Sequence, residues 1–276
     1  MTTAGQPEPI ARNRRKHLGA RLSTFGHAAT LEFLFLLALA AAMAGVAGTL
    51  AELLTDVRFD IMGRAYLLQW TLGVFTALSL AILLEGTLFP WSGRRSLRAT
   101  LRRVRQWGSV FVSHLGLLPS RRQSRKILAI GAVAATVAFV VACMISLVPG
   151  IEQIDHDQDA RYVAVANAPG LAGALYFAIA APPPEEAMYR GLLLLIAAAA
   201  TWWCRTPAAR RLIIGVALVL TSAHFGYIHL EWSQSNAIMA ATSGLAYGAA
   251  ALWSRSLWAA VLAHALYNFA VGAVTI

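Results

Sequence analysis

Long apolar runs recur along the chain and constrain its fold more than any other feature. Several are close to the roughly 20 residues that a helix needs to cross a bilayer. Because these runs are rich in Leu and Ala and do not alternate in polarity, they predict helices rather than barrel strands. Only 13% of the residues are charged, against about 25% in a soluble domain. The sequence therefore predicts an all-α, polytopic transmembrane bundle.

About eight helices are expected, and two basic segments lie outside them. Residues 1–26 are expected to form a disordered basic cytoplasmic tail, followed by an N-terminal transmembrane region at 27–163. That region contains a basic loop at 92–126, in which the apolar stretch 110–118 predicts an amphipathic helix on the membrane surface. The expected helices cover residues 29–54, 66–89, 127–148, 164–181, 185–203, 211–229, 236–254 and 256–275.

The distribution of basic residues indicates membrane topology rather than nucleic-acid binding. Fifteen of the 23 basic residues either precede the first span or fill the loop 92–126. Such clusters are typical of cytoplasmic segments that face anionic headgroups. With both clusters inside, the acidic segment 152–161 falls outside. The same count also places Arg205, Arg210 and Arg211 outside, which conflicts with the cytoplasmic preference of basic residues. One explanation is that segment 164–181, interrupted by Pro169, does not span the membrane fully.

Two further features bear on the compartment. The chain has only two cysteines, Cys143 and Cys204, so no disulfide framework is implied. Its basic residues are mostly Arg and its apolar residues largely Ala, which favours a bacterial source. We therefore expect a protein integral to a bacterial cytoplasmic membrane.

The first polar motif is a run of three prolines followed by two glutamates. Pro182, Pro183 and Pro184 cannot continue a helix but suit its first turn. Glu185 and Glu186 are then expected to open a new helix, where acidic groups match the dipole. Glu186 and Arg190 are four residues apart and share a face, so they can pair. This spacing leaves Glu185 without an obvious local partner.

Two other motifs place histidines in the last spans. Phe225 and His229 end the segment 211–229, with His224 nearby. His264 and Asn268 share one face of the segment 256–275, well inside an apolar helix. Polar groups in hydrocarbon usually face the interior of a bundle and mark function, although an interhelical hydrogen bond that only holds the bundle together is an alternative.

Helix topology brings these motifs to one level of the bundle, which is expected to open toward the cytoplasm. A carboxylate, two imidazoles and an amide in a secluded cavity suit attack of water on a peptide bond. Glu185 can act as a general base together with His229, while His264 and Asn268 can donate to the oxyanion. Alternatively, Glu185, His229 and His264 are candidate ligands of a divalent metal such as zinc. No HExxH or GxSxG motif is present, which disfavours zincin and serine chemistry.

The ordered set Glu-Glu-x-x-x-Arg, Phe-x-x-x-His and His-x-x-x-Asn resembles the CPBP intramembrane proteases. This family includes the type II CAAX prenyl endopeptidases and bacterial proteins of bacteriocin maturation and immunity. The resemblance implies that residues 164–276 form a catalytic core acting on a peptide or membrane-protein substrate. It implies catalytic residues at Glu185, Glu186, Arg190, His229, His264 and Asn268.

Two other classes of function remain open on the sequence. A non-catalytic immunity or scaffold protein of the same fold would bind a partner without hydrolysis. A transporter would use the polar cluster as an ion path, and it is expected to show two related halves with broken helices. No internal repeat is evident in the chain, and the complete motif set favours the protease.

Overall fold

The structure, a computed structural model, describes residues 9–55, 97–151, 168, 171–230 and 232–274. Within these ranges the chain is helical and contains no strand, which confirms the predicted all-α bundle. Four helical segments among these residues are long and apolar enough to cross a membrane: Glu32–Thr55, Arg121–Ser146, Pro207–Tyr227 and Leu257–Val274. The predicted span at 66–89 lies outside the described residues. The helices are α1 Pro9–Thr55, α2 Leu97–His114, α3 Arg121–Ser146, α4 Ala172–Ala180, α5 Pro182–Trp203, α6 Pro207–Tyr227, α7 Gln234–Ser254 and α8 Leu257–Val274.

The two segments expected to be loop or tail are more helical than predicted. Helix α1 begins at Pro9, so the expectation of a disordered tail is wrong from that residue onward. Proline suits the first position of a helix, and the Arg, Leu and Ala residues that follow favour helix formation. Helix α2 begins at Leu97, thirteen residues before the predicted amphipathic stretch. It ends at His114 because Gly116 adopts a positive φ of 57°.

Hydroxyl caps set the starts of three helices. Ser120, Thr206 and Ser233 accept hydrogen bonds from the amides three residues later, at the starts of α3, α6 and α7. Such caps satisfy amides that have no partner within the helix. Since the cap of α3 is Ser120, the basic residues 121–126 belong to this helix rather than to the preceding loop.

Helices α4 and α5 form one crossing rather than the two that were predicted. Ala181, the residue between them, has φ −79° and ψ −46°, which is ordinary right-handed helical geometry. The chain therefore continues in one direction across the proline run instead of turning back. Helix α4 has nine residues, a length of about 13 Å, and cannot cross a bilayer by itself.

This single crossing changes the arrangement of the ends of the helices. Lys126 Nζ donates to the carbonyl of Trp253 at 2.7 Å, and the amide of Leu257 donates to the carbonyl of Leu115 at 2.9 Å. The start of α3, the end of α7 and the start of α8 therefore share one side of the bundle, here named the basic side.

Short turns place the remaining arginines on the same side. Helix α7 ends on the basic side and therefore begins on the opposite side. It follows α6 after a turn of six residues, so α6 ends on that opposite side and begins on the basic side. The count that put Arg205, Arg210 and Arg211 opposite the basic loop is therefore wrong. The predicted cytoplasmic opening of the site depended on that count, and it stays a prediction.

The core is built largely from small side chains that let helices approach closely. Helix α3 packs along α7 and α8, and α1 packs along α4 and α5. Leu36, Leu115, Tyr247 and Leu257 are fully buried among many alanines. Small residues at helix contacts are typical of membrane bundles. Large apolar side chains face outward on the spans, as a lipid environment requires: Val133, Val137, Met144, Val219 and Leu220.

Candidate active site

Glu186 is the centre of a buried charged cluster that joins α5 and α8. Its Oε2 lies 3.0 Å from Arg190 Nε, as the four-residue spacing predicts. Its Oε1 lies 2.9 Å from His264 Nδ1. Glu186 and Arg190 are 0% and 1% exposed. Burial of such charges is expensive unless they are paired, so the Glu186 carboxylate depends on both partners.

Aromatic rings enclose the Arg190 guanidinium. Its central carbon lies 4.6 Å from the centroid of the Phe225 ring and 5.6 Å from that of Tyr247. Arg190 Nη1 and Nη2 are buried without a hydrogen-bond partner among the described residues. Ring faces attract a desolvated cation. The aromatic enclosure therefore substitutes in part for the missing hydrogen bonds.

Glu185 occupies the open side of the same cluster. Its side chain is 35% exposed, and its Oε2 lies 3.9 Å from His264 Nε2. The sequence offered no local partner for Glu185, and the structure supplies this one from α8, 79 positions along the chain. The His264 ring thus lies between two carboxylates, with Nδ1 on Glu186 and Nε2 toward Glu185.

The proline run explains why Glu185 stands at the start of a helix. Pro182, Pro183 and Pro184 occupy the first three positions of α5, where an amide would have no partner within the helix. The first amide of the helix belongs to Glu185, and it donates to the carbonyl of Ala181 at 3.4 Å. The run therefore lets α5 begin directly before Glu185 without losing a bond within α5.

His229 is held just beyond the end of α6. Its Nδ1 lies 2.6 Å from the carbonyl of Phe225. Because a carbonyl can only accept, Nδ1 carries the proton, and Nε2 of the neutral ring is an acceptor. The Phe225 ring contacts His229 edge-on at 4.6 Å and lies 6.0 Å from the His264 ring. Phe225 therefore connects the two histidines.

Asn268 is directed toward α4. Its Nδ2 donates to the carbonyl of Phe177 at 3.4 Å. An amide group has two N–H donors, so this bond leaves the second one for another acceptor. The structure thus brings Glu185, Glu186, Arg190 and His264 into direct contact. The Phe225 ring links His229 to His264, and the hydrogen bond of Asn268 to Phe177 links Asn268 to α4.

Two tyrosines at the site were not predicted. Tyr247 of α7 is fully buried and stacks on the His264 ring, with centroids 5.1 Å apart and planes at 17°. Tyr189 lies one turn after Glu185, and its hydroxyl is 3.3 Å from Nδ1 of His224. An aromatic residue in an apolar helix usually indicates core packing, so the sequence carried no signal for Tyr247. The four-residue spacing from Glu185 could have indicated Tyr189.

A metal ion held by Glu185, His229 and His264 stays a prediction. Among the described residues, no group of three His, Cys, Asp or Glu side chains is placed to hold one ion. His264 Nδ1 is engaged by Glu186, and His229 is fixed beside Phe225. A three-ligand zinc site needs three donors near 2 Å from one point, which this geometry does not provide.

The C-terminal part of the chain is similar to a known protein family. Residues 167–270 match the family model described as type II CAAX prenyl endopeptidase Rce1-like. The match contains all six predicted site residues and confirms the predicted resemblance to the CPBP proteases. No curated protein and no solved structure matches the chain significantly.

Proposed function

Because residues 167–270 match the family model described as type II CAAX prenyl endopeptidase Rce1-like, we propose that the protein is an intramembrane endopeptidase. Its reaction is hydrolysis of a peptide bond in a membrane-associated or leader-peptide substrate. The observation that supports this proposal best is the position of His264 between the buried Glu186 and the partly exposed Glu185. A purely structural ion pair has no need of a second carboxylate on the open side.

Glu185 and His229 are proposed to activate the attacking water. Glu185 is accessible from the opening and can take a proton. His229 presents Nε2 as an acceptor because its Nδ1–H is bonded to Phe225. A water held between these two acceptors gives up a proton to Glu185 as its oxygen forms a bond to the substrate carbonyl carbon.

His264 and Asn268 are proposed to stabilise the resulting tetrahedral oxyanion. The Glu186 carboxylate fixes the His264 ring with Nε2 toward Glu185 and the opening, and an N–H at this nitrogen donates to the oxyanion. The N–H of Asn268 that does not bind Phe177 supplies a second donor. Collapse of the intermediate breaks the C–N bond, and Glu185 returns its proton to the departing amine. Glu186 and Arg190 act as positioning residues in this mechanism.

Anionic lipid is the proposed partner of the basic side. Arg121, Arg122, Arg125 and Lys126 are clustered at the start of α3, and Arg205 and Arg210 lie on the same side. Juxtamembrane basic residues are each worth about 1 kcal/mol at an anionic surface. We expect the purified protein to bind phosphatidylglycerol vesicles and to lose this binding at high salt.

The proposed function is tested by incubating purified protein in liposomes with an octapeptide library, half of it carrying a farnesylated cysteine. Mass spectrometry would identify products of the wild type, of Glu185→Ala and of His264→Ala, each with and without a chelator. We expect cleavage by the wild type alone. We also expect it to survive the chelator, because no group of three His, Cys, Asp or Glu side chains among the described residues is placed to hold one ion. Folded wild type that cleaves nothing would instead favour a non-catalytic scaffold, and loss of cleavage with the chelator would establish a metal.

A further inference from the structure

The three prolines that begin α5 affect the carbonyls that end α4. In a helix the carbonyl of residue i accepts the amide of residue i+4. The amides that would serve Ala178, Ile179 and Ala180 belong to Pro182, Pro183 and Pro184, which have no N–H. The next amide, that of Glu185, is bonded to Ala181. Three consecutive carbonyls therefore lose their helical partner directly before the proposed base.

Two of these carbonyls have no other donor among the described residues. The residues three, four and five positions after Ile179 are all proline, so no alternative helical bond can form there. For Ala180 the only remaining amide is that of Glu185, which is already engaged. Within the part of the chain that the structure describes, no side chain donates to either carbonyl.

Burial of the whole residue distinguishes Ala178 from Ile179 and Ala180. Ala178 and Pro182 are buried, whereas Ile179, Ala180, Pro183 and Pro184 are partly exposed. The preceding carbonyl, that of Phe177, already accepts a donor from outside the helix, the Asn268 amide at 3.4 Å. This turn of α4 is thus able to bind external N–H groups, and it lies beside Glu185 and the helix that carries His264.

We propose that the carbonyls of Ile179 and Ala180 bind a main-chain N–H of the substrate peptide and position its scissile bond at Glu185. This inference rests on the proposed function for the identity of the ligand. Unpaired carbonyls are costly in a water-poor site, and a peptide backbone supplies the complementary donor. Recognition through the backbone is independent of side chains, so the site tolerates varied sequences but rejects a peptide that lacks this N–H.

Restoring an amide at single prolines tests the proposal. Pro183→Ala supplies an N–H to Ile179, and Pro184→Ala supplies one to Ala180. Each closes one carbonyl to the peptide without adding bulk. Pro182→Ala is the matched control, because the helical i−4 partner of its new N–H is the carbonyl of the buried residue Ala178. The surrounding backbone is already helical at Ala181, so the new bonds need no rearrangement.

Binding is measured separately from cleavage, with each variant made in a Glu185→Gln background and embedded in nanodiscs. The probe is the same octapeptide library, with each retained peptide also synthesised with single N-methylated amides. We expect Pro183→Ala or Pro184→Ala to weaken binding about tenfold and Pro182→Ala to leave it unchanged. N-methylation of the peptide at one position should weaken its binding to the parent protein as much as the proline substitution does. The same methylated peptide should show no further loss of affinity for the substituted variant.

Three results would overturn this binding mode. They are no retention of any peptide, retention unaffected by Pro183→Ala and Pro184→Ala, and equal loss with Pro182→Ala. Peptides that bind as expected but are never cleaved by protein with Glu185 would support the binding mode and contradict the proposed function. Thermal unfolding of each variant identifies any that fails to fold, and for such a variant the N-methyl series on the parent alone decides.

Discussion

Glu185 and Glu186 are neighbours in sequence but lie in opposite environments. Successive residues of a helix point about 100° apart, so the packing of α5 against α8 buries Glu186 completely and leaves Glu185 at the opening. Glu186 has two charged or polar partners at about 3 Å. A carboxylate held in this way is suited to positioning, whereas its neighbour is accessible to water and substrate.

The difference predicts unequal effects on stability. Glu186→Gln should lower the free energy of unfolding by about 3–5 kcal/mol, because it leaves the buried Arg190 without a counter-charge. Glu185→Gln should change it by less than about 1 kcal/mol, since this side chain is partly exposed. Denaturant unfolding in detergent, followed by circular dichroism, measures both.

A double variant provides the control for this prediction. Glu186→Gln combined with Arg190→Met removes both charges and should recover most of the stability that either single change loses. Additive losses in the double variant would show that the two residues do not act as a pair.

The residues of the site differ in how far the sequence could predict them. The Glu186–Arg190 pair follows from spacing along one helix. The contact of His264 with both glutamates depends on how α8 packs against α5, which no local pattern encodes. The direction of Asn268 toward the carbonyl of Phe177 likewise depends on the position of α4.

At the scale of helices, the contact between α6 and α7 sets the position of the Phe225–His229 segment. Gly226 faces α7 so closely that a Cβ added to it would lie 2.6 Å from the carbonyl oxygen of Ala237 and 2.7 Å from Cβ of Ala241. Backbone atoms cannot yield as a flexible side chain can. The helices approach this closely only because residue 226 has no side chain.

Gly226→Ala should therefore separate α6 from α7 and displace His229. We expect a loss of about 1–3 kcal/mol in unfolding free energy and at least a tenfold lower kcat/KM for peptide cleavage. Gly215→Ala in the same helix is the control. Apart from the adjacent backbone of its own helix, no atom lies within 4 Å of its added Cβ, so this substitution should stabilise the helix by about 0.5–1 kcal/mol without changing activity. Equal effects of the two substitutions would refute this account of the contact.

The element most poorly predicted from sequence is the junction of α4 and α5. Three successive prolines ordinarily indicate a break, and two separate spans were expected. The helical geometry at Ala181 shows that proline removes amide donors without reversing the chain. The starts of α3, α6 and α7 differ from expectation by two to six residues, because hydroxyl caps rather than hydropathy determine them.

For the whole molecule, the single crossing of α4 and α5 unites the basic residues on one side. The start of α3 and the turn between α5 and α6 then both agree with the tendency of Lys and Arg to remain cytoplasmic. The turn between α6 and α7 lies on the opposite side. Hydropathy alone could not give this result, because it counts apolar segments without showing whether neighbours are continuous.

Cysteine labelling in intact cells tests the arrangement. In a Cys143→Ser background, native Cys204 and an introduced Leu118→Cys should be protected together from a membrane-impermeant maleimide. Leu230→Cys, in the turn after α6, should react. Both Leu118 and Leu230 are exposed, so access depends on the side of the membrane. Reaction of Cys204 together with Leu230→Cys would contradict the single crossing.

The measurement that tests the central claim most directly is the rate of peptide hydrolysis by Glu185→Gln relative to wild type. Glutamine keeps the size of the side chain but cannot accept the proton of water. Because general base catalysis contributes about 10²–10⁴-fold, we predict a loss of kcat in that range with unchanged peptide affinity and thermal stability. A variant that cleaves within a few-fold of the wild-type rate would contradict the assignment of Glu185 as the base.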